Sequence, residues 1–159
     1  MEEVYKALEE VGVLYKEYKH PAVYTVEEAK EHTKSIEGAH TKNLFLRNKK
    51  GNKHYLVIVP AEKRVDIATL ALKLSESRLS FASAERLKEY LGLEPGSVSP
   101  FGLLNDKDNN VEVVVDEEVM ESEQMGFHPN INTSTIVISK EGFKKFISHM
   151  GNKLISTSI

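Results

Sequence analysis

The 159-residue chain contains no cysteine, and that removes several chemistries together. It has no thiolate nucleophile, no disulfide, no iron–sulfur cluster and no cysteine-ligated zinc. Any catalysis must run on histidine, lysine, carboxylates, hydroxyls or water. No stretch approaches the ~18 apolar residues that a membrane span requires, so no membrane partner is expected. The start, Met1-Glu2-Glu3-Val4-Tyr5-Lys6, is acidic and amphipathic, unlike the basic-then-apolar start of a secretory leader. A cytoplasmic location is expected. A basic excess is missing too: the formal net charge of −3 argues against a bulk binder of long nucleic acid, and DNA is not an expected partner.

Familiar chemical signatures are also absent. The six histidines show no H-x-H or H-E-x-x-H spacing, so no metal is expected. There is no phosphate-cradling glycine loop and no Gly-x-Ser-x-Gly elbow. Asp106, Asp108 and Asn110 with Glu117 in the twelfth place imitate a calcium loop, but the sixth place, which needs glycine for its sharp turn, is Val111. A polar turn between strands is the better reading.

What remains is an ordinary globular composition, 40% hydrophobic and 28% charged, long enough for one domain over residues 1–159 with a core of its own. Val4, Leu8 and Val11 recur at helical spacing before Gly12, and a strand over 14–18 should follow. Thr25 with Glu28 forms a capping box for a short helix to about His32. Residues 43–47 and 53–59 read as a hairpin around Asn48-Lys49-Lys50-Gly51-Asn52. Asp66 and Ser83 are candidate caps for helices ending near Leu74 and Gly92, with a strand over 79–82 between them. Residues 111–115 and 133–138 read as strands buried on both faces. Ser139 caps a last helix with Phe143, Phe146, Ile147 and Met150 inward, Gly151 ends it, and residues 154–159 can close the sheet.

Three stretches combine stiff or permissive backbone with donors and acceptors: Lys42-Asn43-Leu44-Phe45-Leu46, the loop from Gly96 to Asp106, and Phe127-His128-Pro129-Asn130-Ile131-Asn132. That mixture suits a small-ligand pocket better than packing alone. In the loop, Gly96 and Gly102 beside Pro95 and Pro100 let a ligand approach the main chain, while Ser97 and Ser99 supply hydrogen bonds. Pro129 restricts His128 to extended backbone. Charge is asymmetric: from Lys42 to His54 the chain carries Lys42, Arg47, Lys49, Lys50 and Lys53 and no acidic residue, which fits either a phosphate backbone or a solvated hairpin tip.

These segments, together with His20-Pro21-Ala22-Val23-Tyr24-Thr25, Leu79-Ser80-Phe81-Ala82-Ser83, Asn132 and Thr135, resemble the prolyl-tRNA editing-domain family, the YbaK-like aminoacyl-tRNA deacylases, over nearly the whole chain. The long loop and the Phe-His-Pro segment look most like the branch that acts on alanyl-tRNA with the proline acceptor. The resemblance implies an α+β (mixed α/β) fold, a strongly curved mixed β-sheet or barrel flanked by helices. It implies hydrolysis of the ester between a small mischarged amino acid and the tRNA terminus, without metal or other cofactor. By the same resemblance Lys42, Gly102 and His128 form the catalytic set. His20, Asn43, Ser97, Ser99, Pro100, Phe101, Asn130, Asn132 and Thr135 would bind substrate, and Arg47, Lys49 and Lys50 would meet tRNA phosphates. The acceptor end of a tRNA is the expected partner, with prolyl-tRNA synthetase as a candidate helper. The alternative is a module of the same fold that senses an amino acid or aminoacyl-tRNA without catalysis.

Overall fold

The computed structural model describes residues 2–21, 38–129 and 133–159. Eight strands form one mixed sheet in the order β1-β7-β6-β2-β3-β5-β8, with β4 also on β2. The strands are β1 (Tyr15–Lys19), β2 (Ala39–Asn48), β3 (His54–Pro60), β4 (Leu79–Phe81), β5 (Val111–Asp116), β6 (Gln124–Phe127), β7 (Ser134–Ser139) and β8 (Leu154–Thr157). Pairing is parallel at β2–β6, β3–β5 and β5–β8 and antiparallel elsewhere. The helices are α1 (Glu2–Val11), α2 (Ile67–Lys73), α3 (Ala84–Leu91), α4 (Glu117–Glu121) and α5 (Lys140–Met150), with a 3-10 helix at Pro100–Asn105. The mixed sheet flanked by helices is the architecture that the resemblance implies.

Local chemistry explains most element ends. Asp66, Ser83 and Ser139 accept the amides of Thr69, Arg86 and Gly142, satisfying donors that the first helical turn leaves open. Gly92 and Gly151 end α3 and α5 in left-handed backbone, at φ +67° and +84°. In the hairpin, Asn48 is buried and its Oδ1 accepts the amides of Asn52 and Lys53, both at 3.1 Å. β2 starts at Ala39, earlier than the sequence pattern indicates, because Ala39 and His40 pair with β6, a strand too short to announce itself. The 3-10 turn falls inside the Gly96–Asp106 stretch that the sequence reads as a loop, and α4 has no counterpart in the sequence pattern. The capping box at Thr25 lies outside the described residues.

The sheet is buried on both sides at its centre, which is why β3 and β5 show little apolar–polar alternation. Phe45, Leu56, Ile58, Val113, Met125, Phe127, Ile136 and Phe143 belong to the larger core. Leu46, Tyr55, Val57, Val59, Leu70 and Val114 form a second core on the opposite face. Asp106, the head of the calcium-like stretch, is a turn anchor: its carboxylate accepts the amides of Asn110 and Val111 and the Asn152 side chain, each at 2.9 Å.

Candidate active site

Pleating sends successive side chains to opposite faces, and residues in register across a ladder share a face. The registers Gly126↔Val137, Tyr18↔Thr135 and His40↔Gly126 therefore put Gly126, Thr135, Tyr18 and His40 on one face, together with Lys42, which shares parity with His40. Met125, Phe127, Ile136 and Phe45 take the other face and join the larger core. The polar face is thus the one that the larger core does not claim.

His20 and His128 meet there. His20 donates from Nδ1 to the Pro21 carbonyl and hydrogen-bonds the Thr135 hydroxyl through Nε2, both at 2.9 Å. Its ring stands edge-on to His128, with centroids 6.0 Å apart. His128 donates from Nδ1 to the Ser134 carbonyl at 2.9 Å, which leaves the lone pair of the neutral ring on Nε2. Burial lowers its pKa below the ordinary histidine value; the Ser134 hydrogen bond opposes that shift and the charge of His20 adds to it. Gly126 makes the approach of Thr135 possible, since a Cβ there would stand 3.1 Å from Thr135 Cγ2. The sequence reading passed over Gly126, although an isolated glycine within a strand is the usual mark of close approach.

β2 brings Lys42 and Asn43 to the same corner. Thr41 Oγ1 donates to the Gly126 carbonyl at 2.8 Å, so Lys42 follows a residue tied to the strand that ends just before His128. Even-numbered residues of β2 turn their main-chain groups to β3: His40 O accepts from Ala61, and Asn48 N–H donates to Lys53 O. Odd-numbered residues face the other edge, where Phe45 O accepts from Ala82. That edge carries β6 at Ala39 and His40 and β4 at Leu46, Arg47 and Asn48. No described strand covers residues 42–44, so the main chain of Asn43 faces a notch between β6 and β4. The Asn43 side chain points away from the Lys42 face, and its Oδ1 is buried without a hydrogen-bond partner among the described residues. Such an orphan costs roughly 1–3 kcal/mol and calls for a donor.

The Gly96–Asp106 loop lies on the larger-core side. Phe101 is fully buried, edge-on to Phe127 at 6.1 Å and Phe146 at 5.4 Å, so its ring is core. Ser99 is buried and accepts the Phe101 amide at 3.2 Å, capping the turn that Pro100 begins. Gly102 packs on α3: a Cβ would fall 2.7 Å from Leu93 Cδ1 and 3.0 Å from Leu91 Cβ. Ser97 stays half-exposed, its amide on the Glu94 carbonyl. Arg47, Lys49 and Lys50 sit at the opposite end of β2 from Lys42, and Asn130 and Asn132 lie outside the described residues. The structure thus gathers His20, His128 and Thr135 in contact and sets Lys42 on their face. Asn43 and the loop stand behind it, and the hairpin cations stand apart. Among the described residues no three His, Asp or Glu side chains form a metal cluster, and no helix is long and apolar enough to cross a membrane.

Comparison with known proteins gives the family. The aminoacyl-tRNA editing domain family matches residues 20–146. The chain is 41% identical over 145 residues to the prolyl-tRNA editing protein ProX of Acetoanaerobium sticklandii, covering 91% of this chain and 88% of that one. It is 36% identical over 137 residues to prolyl-tRNA synthetase associated domain-containing protein 1 of Bos taurus, covering 84% and 80%. A crystal structure solved as a candidate trans-editing enzyme for prolyl tRNA synthetase superposes with a TM-score of 0.73, covering 98% of this chain and 94% of that one at 20% identity. That last likeness speaks for the fold alone.

Proposed function

Because the chain belongs to the aminoacyl-tRNA editing domain family, we propose that it is a trans-acting deacylase that hydrolyses the ester of mischarged tRNA with the proline acceptor, above all Ala-tRNA. The observation that carries the mechanism is the oriented, neutral His128. Its Nδ1–H is spent on the Ser134 carbonyl, so Nε2 can accept a proton from the water that attacks the ester carbonyl, and a lowered pKa keeps it unprotonated at neutral pH. His20, locked by Thr135 and the Pro21 carbonyl, walls the site beside it. Lys42 places a positive charge on the same face, suited to the oxyanion that develops on the carbonyl or to the terminal phosphate. Asn43 offers the substrate its main-chain groups at the notch.

Selectivity follows from size. A tight pocket refuses a larger side chain outright, whereas each methylene that merely fits better is worth only ~1–3 kcal/mol. Alanine enters and proline is excluded. Prolyl-tRNA synthetase is the natural donor of such a substrate. The test is alanine release from Ala-tRNA by the wild type and by His128→Ala. A loss of about 10²–10⁴ in rate is expected if His128 is the general base, and near-wild-type hydrolysis by the variant would remove it from that role.

A further inference from the structure

At the end of β2 away from Lys42, the hairpin turn holds two guanidinium groups side by side. A Cβ built on Gly51 would stand 2.9 Å from Arg86 Nη2 and 3.1 Å from Arg47 Nη2, so both converge on one point above the turn. Neutral acceptors fix each of them. Arg47 donates to the carbonyls of Asn48 at 3.2 Å and Lys49 at 3.1 Å. Arg86, from the first turn of α3, donates through Nη1 to the Gly51 carbonyl at 3.1 Å and to His54 Nε2 at 3.0 Å. His54 is 1% exposed and packed between Tyr90 at 4.0 Å and Phe45 at 5.5 Å. Nearby carboxylates are engaged elsewhere: Asp106 holds the Asn110–Val111 turn, and Glu76 accepts the Tyr55 hydroxyl on the other face. Among the described residues neither arginine has a carboxylate ion-pair partner. Lys49, Lys50 and Lys53 are exposed around the same turn.

Like charges held together without a counter-ion repel, and a phosphate matches the fork of two fixed guanidinium groups. Between this corner and the notch lies β4, whose Phe81 pairs with Leu46 and is 61% exposed. Arg47 is five strand residues from Lys42, roughly 17 Å at the ~3.3 Å rise of a strand, and by the pleat it lies on the opposite face, so a ligand touching both must be a chain that crosses the sheet edge at β4. We infer that the β2–β4 edge and the Arg47–Arg86 corner form a track for the single-stranded 3′ end of the RNA. A base stacks on Phe81 and a backbone phosphate sits between Arg47 and Arg86. This rests on the reading that the substrate is a tRNA ester. An acidic peptide would satisfy the arginines but leave the exposed ring beside the notch without a use, whereas cations interleaved with an aromatic ring suit a single strand.

The test is binding of uncharged tRNA, followed by fluorescence anisotropy over a series of salt concentrations, for the wild type, Arg47→Gln, Arg86→Gln and Phe81→Ser. Each arginine variant should bind more weakly, and the slope of log K against log salt should shrink by about 0.7 for the lost phosphate contact. Phe81→Ser should weaken binding about fivefold or more, and that effect should vanish on tRNA lacking its single-stranded 3′ end. Arg86 also clamps His54, so its variant is paired with a thermal melt; Phe81 is exposed and its replacement tests the track without that burden. Wild-type binding and salt slope in all three variants would overturn the track. So would an equal loss of affinity for polyglutamate, which would assign the corner to an acidic protein. Uncharged tRNA has no ester, so failure of the proposed hydrolysis would show separately, as normal track binding with no deacylation.

Discussion

Acid should weaken this protein through His54 more than its carboxylates alone would. The ring is buried, and burial first, then the charges of Arg86 and Arg47, lower its pKa from 6.5 to about 4. The fold therefore favours the neutral ring, while the unfolded chain takes up a proton at the ordinary value. Stability from this source is complete above about pH 6.5 and is lost as the pH falls toward 4, because in that window the unfolded state binds more protons. At ~1.36 kcal/mol per pKa unit the shift corresponds to about 3 kcal/mol by pH 4, a large part of the ~5–15 kcal/mol that holds a domain folded. Urea unfolding of the wild type and His54→Gln at pH 7.5 and pH 4 measures it. Glutamine keeps a neutral acceptor for Arg86 but does not titrate. The drop in unfolding free energy between the two pH values should be about 3 kcal/mol smaller in the variant. The His128 contribution is common to both proteins and cancels. Equal drops would refute the claim that His54 is held neutral by the fold.

Other perturbations separate packing from chemistry. Gly102→Ala must push its Cβ into Leu93 and Leu91, and a thermal melt should show a loss of about 1–3 kcal/mol, the usual cost of overpacking; an unchanged melt would mean that the loop and α3 part easily. The rate of deacylation should fall on the acid side with an apparent pKa below 6.5, because His128 must be neutral to accept a proton and its pKa is lowered. His20→Ala removes a charge that contributes to that lowering, so the acid limb should move to higher pH; a move to lower pH would contradict the assignment. Asp106→Ala strips acceptors from the Asn110 and Val111 amides and from Asn152, and at ~1–3 kcal/mol per buried unsatisfied group chemical denaturation should register a severe loss.

Features decided by neighbours in the chain were legible beforehand. Ser83, Ser139 and Asp66 cap helices because their side chains reach amides three residues on, and Gly92 and Gly151 end them because only glycine takes left-handed backbone freely. The hairpin was legible for the same reason. The site was legible in part. His20, Thr135 and His128 could be named by resemblance, but their meeting depends on a bond between residues 115 apart in the chain, which no local pattern encodes. Gly102 shows the limit from the other side. Its lack of a side chain is accounted for by contact with Leu91 and Leu93, a packing reason that sequence cannot separate from a catalytic one. The notch at residues 42–44 needed β6 and β4 to be placed on the same edge of β2. Arg86 went unnoticed because an arginine in the first turn of a helix reads as solvated until the hairpin is seen beneath it.

The most direct measurement is ester loss from Ala-tRNA and Pro-tRNA, both on the proline acceptor, with the wild type beside Lys42→Ala. Rapid loss of alanine alone is expected, with a fall of about 10²–10³ in rate when Lys42 is removed, the usual effect of losing a preorganised oxyanion donor. Equal hydrolysis of both esters, or undiminished alanine release by Lys42→Ala, would contradict the proposed mechanism.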